Sequence, residues 1–234
     1  MKILVVNIGN TRIQYGVFSK GKIQGIRYFP TASLLAGKKI PLGGYDMPAI
    51  ASTVVPEARK FLKDLNIHWI GRKSSLPVSL AKVDSSTLGA DRIANAAAAA
   101  KFAKLPAIIV DCGTAITVDA VNSRREFIGG AILPGRMLLR KALNDFTSQL
   151  PLVRISQKIP GALGRDTKSA ILSGTDLAVI GSVKEIIAGI RKEAGFSRCS
   201  IIVVGGDAGY FVRNIEGAEF GGCDFTLRGI AASF

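Results

Sequence analysis

The chain has 234 residues, 48% of them apolar and 21% charged, with 31 Lys and Arg against 17 Asp and Glu for a formal net charge of +14. That composition fills a core and excludes an intrinsically disordered chain, and the length suits one large α/β domain or two lobes of about 100 residues each. No uninterrupted apolar run of about 20 residues occurs, which excludes a helical membrane span, and Cys112, Cys199 and Cys223 have neither metal spacing nor the even count of a disulfide framework.

Residues 2–6 are apolar and β-branched and read as a strand; Asn7-Ile8-Gly9-Asn10-Thr11 breaks the run, and 12–18 resumes it, so a hairpin is expected. A strand over 23–28 follows, then a helix or loop over 31–44, a buried strand at 49–52, a helix over 56–65 and short strands at 69–70 and 78–80. Residues 91–103 are dense in Ala, the best helix former, and predict a helix. Residues 107–110 form the next strand; Asp111-Cys112-Gly113-Thr114 breaks it and 116–121 continues, a second hairpin. GGAILPG at 129–135 reads as a turn region bounded by Gly and Pro, followed by helices over 136–146 and 167–190. A strand at 200–204 ends at Gly205-Gly206-Asp207, and a short apolar segment closes the chain. The N-terminus runs straight into a strand without a signal-peptide layout, and the cysteines suit a reducing compartment, so a soluble cytoplasmic protein without a membrane partner is expected.

The basic residues are scattered and not interleaved with aromatics, which argues against nucleic acid as the main partner, although a basic surface draws anions in general. His68 has no His or Cys neighbour and reads as structural. More informative is an internal repeat. ILVVNIGNTRIQYGV (3–17) lies over AIIVDCGTAITVDAV (107–121) at an offset of 104, with Asn7 over Asp111, Gly9 over Gly113 and Asn10 over Thr114. Polar and Gly positions coincide as well as apolar ones, which predicts a duplicated α/β lobe, 1–106 and 107–234. In each copy a strand delivers a polar side chain to its end, and Gly lets backbone N–H groups approach an anion. A small hydroxyl or amide donates to phosphate oxygens, and an acid holds a cation or its waters.

Tandem loops of this kind resemble the actin, sugar kinase and heat-shock chaperone superfamily. NIGNTRIQYGVF (7–18) resembles the opening DIGNTxxxxGxF motif of type III pantothenate kinases, LGADRIANAAAA (88–99) their GADRxxNAxAA motif, and VDCGTAITVDAV (110–121) their DxGTAxTxDxV motif. GGAILPG, GRDTKSAILSG (164–174) and VVGGDA (203–208) follow in the family's order, so the resemblance spans nearly the whole chain. It implies a duplicated actin-like ATPase (ribonuclease H-like) α/β fold, two lobes with an ATP cleft between them. It also implies ATP-dependent phosphorylation of pantothenate to 4'-phosphopantothenate, the first step of coenzyme A biosynthesis. The implied cofactors are magnesium and a monovalent cation, potassium or ammonium, and the implied assembly is a homodimer with the pantothenate pocket near its interface.

Carried onto this chain, the resemblance makes Asp91 the catalytic residue that orients the attacking hydroxyl and accepts its proton. Gly89, Ala90, Arg92 and Thr167 join it as substrate contacts. Asn7, Ile8, Gly9, Asn10, Thr11, Arg12, Ile13 and Gln14 form the first ATP loop, Thr114 contacts ATP in the second, Gly205 and Gly206 face the adenosine, and Asp111 is the metal ligand. Plainer roles stand beside these: Asp91 and Thr167 as helix caps or first-turn residues, Arg92 in a surface ion pair, Asp111 as a turn acid, and the glycine pair as a strand end. Two departures fall in the motifs. Asn7 stands where the family has Asp, and LAKVDSSTL (80–88) lacks the aromatic the family carries before GADR. They motivate two alternatives: a catalytically weakened relative with a regulatory or binding role, and a kinase for another small hydroxylated substrate.

Overall fold

The computed structural model describes residues 2–42, 47–63 and 65–234. The chain forms two compact units, Met1–Ala107 with Val121–Gly129 and Gly221–Phe234, and Ile108–Ala120 with Gly130–Phe220. The first is built on strands β1 (Ile3–Ile8), β2 (Arg12–Ser19), β3 (Lys22–Pro30), β4 (Ala49–Thr53) and β5 (Ile67–Trp69), in the order β3-β2-β1-β4-β5. The β1–β2 hairpin is antiparallel while β1, β4 and β5 run parallel. The second sheet holds β6 (Ala107–Cys112), β7 (Ala115–Val121), β8 (Phe127–Pro134), β9 (Ser200–Val204) and β10 (Ala218–Phe220), in the order β10-β9-β6-β7-β8.

The two orders are the same path: β6, β7, β8, β9 and β10 take the places of β1 through β5. The repeat is therefore structural. β1 and β6 even share one burial pattern, four buried residues, one half-buried polar residue and one buried residue, with Asn7 and Asp111 at the polar place. An acid or amide at the fifth position of an otherwise buried strand is what a strand delivering one polar group to its end looks like.

Helices α1 (Thr31–Leu35), α2 (Ala90–Phe102) and α6 (Phe225–Ala231) belong to the first unit, and α3 (Arg136–Asp145), α4 (Thr167–Glu193) and α5 (Ala208–Val212) to the second. No helix among the described residues is long and apolar enough to cross a membrane. The core of the second unit joins Ile108, Val110, Val118, Val179, Val183, Val203 and Phe211.

Several elements differ from the sequence expectation, each for a physical reason. Within 31–44 only Thr31–Leu35 is helical, and 43–44 lie outside the described residues. Pro56–Leu62 is a 3-10 helix rather than an α-helix; the Val55 carbonyl accepts from the Ala58 N–H at 3.0 Å, an i+3 bond, and residue 64 is not described. At 78–80 there is only the bridge from Ser79 to Glu126. GGAILPG is not a turn but most of β8. Gly130 is required there because a Cβ would lie 2.3 Å from the Val118 carbonyl oxygen, so the glycine marks a close backbone approach.

The final segment is the largest difference. Placed in the second lobe by the sequence reading of 107–234, Gly221–Phe234 instead returns to the first unit. Leu227 and Ile230 of α6 are fully buried with Ile3, Val5, Ile50 and Ala94, and the Thr226 hydroxyl donates to Asn95 Oδ1 at 2.8 Å. Burial of these side chains stabilises the segment in place by about 2 kcal/mol each.

Candidate functional site

The first loop is the β1–β2 connection. Its turn closes by the Gly9 N–H donating to the Arg12 carbonyl at 3.1 Å, and the Thr31 hydroxyl at the start of α1 donates to the Gly9 carbonyl at 2.7 Å. Asn10, Thr11 and Arg12 are exposed on it. Ile8 and Ile13, named with them from sequence, are completely buried in the core, so only their backbone groups face the loop. Gln14 lies along β2, and its Nε2 donates to the Cys223 carbonyl at 2.5 Å, a structural bond within the first unit. The Asn7 Oδ1 accepts from the buried Ser52 hydroxyl at 2.8 Å, and the amide has no charge to offer a cation.

α2 begins one residue earlier than expected. Gly89 is its N-cap residue and offers no side-chain cap, which puts Ala90 and Asp91 inside the first turn. Asp91 is thus not the cap. Its Oδ1 accepts from the Arg92 N–H at 2.8 Å. Burial pushes the Asp91 carboxyl above the usual aspartate range, opposed by that N–H and by the Arg92 charge. Gly89 makes room for it: a Cβ there would lie 2.7 Å from Asp91 Oδ1. The backbone at Gly89 has an ordinary negative φ of -58°. Gly89→Ala is therefore expected to fold with a melting temperature close to wild type while swinging the Asp91 carboxylate aside; turnover measured against thermal melting checks this, with a loss of about tenfold or more expected in rate alone. The Arg92 guanidinium stands 5.5 Å from the centre of the Phe127 ring in the same unit.

In the second unit Asp111 is half-buried at the end of β6, and Gly113 and Thr114 are exposed just beyond it. Gly205 closes over this strand end. Its φ is +95°, and a Cβ would lie 2.6 Å from Asp111 Oδ1 and from the Cys112 carbonyl oxygen. Gly205 and Gly206 are exposed, and the Asp207 N–H donates to the Cys112 carbonyl at 3.1 Å. Cys112 is buried, and its thiol is pushed far up by burial and then by the charges of Asp111 and Asp207, so it is an inert packing group. Among the described residues no cluster of three or more His, Cys, Asp or Glu stands ready for a metal. What this strand end has is one half-buried carboxylate beside a glycine turn.

α4 starts with a capping box between Asp166 and Ser169, with Ser169 N–H donating to Asp166 Oδ1 at 2.9 Å. Thr167 is the next residue, exposed, and its hydroxyl is not used as the cap.

One group escaped the sequence reading. Arg136 and Arg140 on α3 are completely buried, and both donate to Asp176 on α4, Arg136 Nε at 3.0 Å and Arg140 Nη2 at 2.5 Å. Arg136 Nη1 lies 3.7 Å from an Asp207 oxygen, and its guanidinium carbon sits 3.6 Å from the centre of the Tyr210 ring. These partners are 36 to 74 residues apart in the sequence, so no local spacing announces them. The acid in GGDA was the one visible sign.

The type III pantothenate kinase family model matches residues 3–189. The type III pantothenate kinase of Akkermansia muciniphila is 31% identical to this chain over 237 residues, covering 98% of this chain and 97% of that one. Among solved structures, a protein of Campylobacter jejuni assigned to the Baf family of transcriptional activators superposes with a TM-score of 0.63 at 20% identity, over 97% of this chain and 95% of that one. A Listeria monocytogenes protein assigned as an N-acetylmannosamine kinase superposes at 0.56 and 14% identity, over 98% and 97%. At such identities the likeness is one of fold, the duplicated two-lobe α/β fold of actin-like ATPases and sugar kinases. With 187 of its residues matched by that model, the chain belongs to the type III pantothenate kinase family.

Proposed function

We propose that this protein transfers the γ-phosphoryl group of ATP to the terminal hydroxyl of pantothenate, giving 4'-phosphopantothenate, the first step of coenzyme A biosynthesis. The observation that carries the reading is Asp91: a carboxylate in the first turn of α2, not spent as a cap, lifted in pKa by burial and given its space by Gly89. Phosphoryl transfer passes through a loose transition state, so the protein's work is positioning and charge placement. Asp91 accepts the hydrogen bond of the attacking hydroxyl, aims its oxygen at phosphorus and takes the proton as the new bond forms. Ala90 and Arg92 hold the rest of the acceptor, with Thr167 reaching it across the dimer.

The backbone of residues 7–14, the exposed Thr114 and the Gly205-Gly206 turn hold the nucleotide, and Asp111 is the ligand for a monovalent cation, potassium or ammonium. That ion and magnesium supply positive charge to the phosphate oxygens when bound. Asn7 brings no charge of its own, so in this reading magnesium is held by the triphosphate itself and by its waters.

Purified protein with ATP, magnesium and potassium is expected to consume ATP only when pantothenate is added, with 4'-phosphopantothenate as the product by mass spectrometry. Turnover on another hydroxylated acid and none on pantothenate would instead favour the reading motivated by the missing aromatic at 80–88. ATP binding without turnover on any acceptor would favour the weakened relative.

A homodimer is part of the proposal, with α3 and α4 as its surface. They border an apolar groove of about 950 Å³ lined by Leu139, Leu143, Phe146, Leu150, Ile171 and Thr167. Phe146 is 88% exposed, an unusual place for an aromatic of this size. Phe146→Asp is expected to shift the protein from dimer to monomer in analytical ultracentrifugation, and to raise KM for pantothenate through Thr167.

A further inference from the structure

The acid that follows the glycine pair has an unusual setting. Asp207 is the N-cap residue of α5, yet its side chain makes no cap bond to that helix. It turns to Arg136 instead, with Asp207 Oδ2 at 3.7 Å from Nη1, and Nη1 is buried with no hydrogen-bond partner among the described residues. A buried guanidinium thus faces a half-buried carboxylate across 3.7 Å, an ion pair without a hydrogen bond, in place of ordinary capping.

The rest of the Arg136 guanidinium is pinned. Nε and Nη2 reach the two oxygens of Asp176 at 3.0 Å each, and Nη2 also donates to the Ser156 carbonyl. Its planar fork leaves no freedom once two edges are engaged. Its backbone is pinned as well. Gly135, the residue before it, donates its N–H to the Thr114 carbonyl at 3.0 Å, and a Cβ there would lie 2.5 Å from the Gly113 and Thr114 oxygens. Two consecutive residues therefore link, within the second unit, the two loops: Gly135 touches the hairpin that carries Asp111 and Thr114, and Arg136 faces Asp207, which follows the Gly205-Gly206 turn.

We infer that Arg136 is a positioning residue for nucleotide binding, setting the Gly205–Asp207 turn against the 111–114 hairpin through its contact with Asp207. The inference rests on the nucleotide-binding reading of that turn. Arg140 keeps its own bond to Asp176 Oδ1 without Arg136, whereas Asp176 Oδ2 loses the bond that Arg136 gives it, so a cost in stability accompanies loss of Arg136. Nucleotide affinity is therefore read beside the melting temperature, so that a loss of stability is not taken for a loss of binding.

The test is a double-mutant cycle on nucleotide affinity: Arg136→Gln, Asp207→Asn and the pair, with a non-hydrolysable ATP analogue in isothermal titration calorimetry and KM for each substrate alongside. Each single variant is expected to weaken nucleotide binding about tenfold, with the double no weaker than the weaker single. KM for pantothenate stays at the wild-type value, and Arg136→Lys, which keeps the charge and loses the fork, does not restore affinity. Nucleotide affinity within twofold of wild type in Arg136→Gln, or losses that add in the double, would overturn the inference and leave Arg136 a packing residue. If Arg136→Gln does not fold, Arg136→Lys takes its place in the cycle with the same expectations. Failure of the wild-type protein to bind the analogue would sink the function reading itself, an outcome separate from the other two.

Discussion

Asp91→Asn is expected to lower turnover roughly 100- to 10,000-fold, the usual worth of a positioned general base, while the protein melts at the same temperature or higher. Both halves follow from one fact. Burial raises the pKa of Asp91 in the folded protein, so its ionised form is disfavoured there relative to the unfolded chain. A carboxyl with a raised folded pKa binds its proton more tightly in the native state. Stability from this group is present at low pH and is lost as pH rises through the folded value, so at neutral pH the charge weighs against the fold. The amide keeps the oxygen that accepts from the Arg92 N–H and removes the charge. Turnover in the wild type is expected to show the mirror image, with an acid limb, set by the need for an ionised Asp91, above the ordinary aspartate range. A pH–rate profile beside a melting curve decides the matter. An Asn variant that keeps most of its rate would remove Asp91 from the chemistry.

Gly229→Ala carries the largest expected stability effect. α6 crosses α2 so closely that a Cβ at 229 would lie 1.8 Å from the carbonyl oxygen of Ala94 and 3.1 Å from the Cβ of Ala98. The nearer obstacle is backbone in a helix whose residues 93–100 are all buried, so the two helices must separate and the packed layer must open. Overpacking costs about 1–3 kcal/mol in ordinary cores, and a backbone clash of this depth belongs at or above the top of that range. At about 2–4 °C per kcal/mol for a protein of this size, melting should fall by roughly 10 °C. Ala98→Gly in the same chain is expected to recover little, because it frees the Cβ contact and leaves the carbonyl in place. Full recovery would mean that the helices touch through side chains alone.

This glycine also explains what could be read from the sequence and what could not. The hairpins at 3–18 and 107–121 and the helix at 90–102 were legible because their signals are local: apolar runs, a polar break and a stretch of Ala. α6 was not, because a Gly inside a seven-residue helix reads as a breaker, and only the presence of α2 makes Gly the residue that fits. GGAILPG was read as a turn for the same reason, since Gly130 answers to the Val118 carbonyl across the sheet. At the candidate site, Asp91 and Asp111 were marked by the resemblance of their motifs to the family's, whereas Arg136, Asp176 and Asp207 meet only in the fold. The burial of Ile8 and Ile13 within the first loop follows from strand alternation, and their side chains serve the core while the backbone between them serves the loop.

The return of 221–234 to the first unit has a consequence for how the protein is made. The ribosome delivers β1 first, yet the helix that covers Ile3, Val5 and Ile50 emerges only after 130–220 have been synthesised. At about 10 residues per second that is a wait of the order of ten seconds, during which that face of the first sheet has α2 but lacks Leu227 and Ile230. The second unit has all of its own strands in hand earlier and can condense ahead of it. Birth order and folding order are thus expected to run in opposite directions along this chain, with the amino-terminal half the last to close and the one that a nascent-chain chaperone would hold.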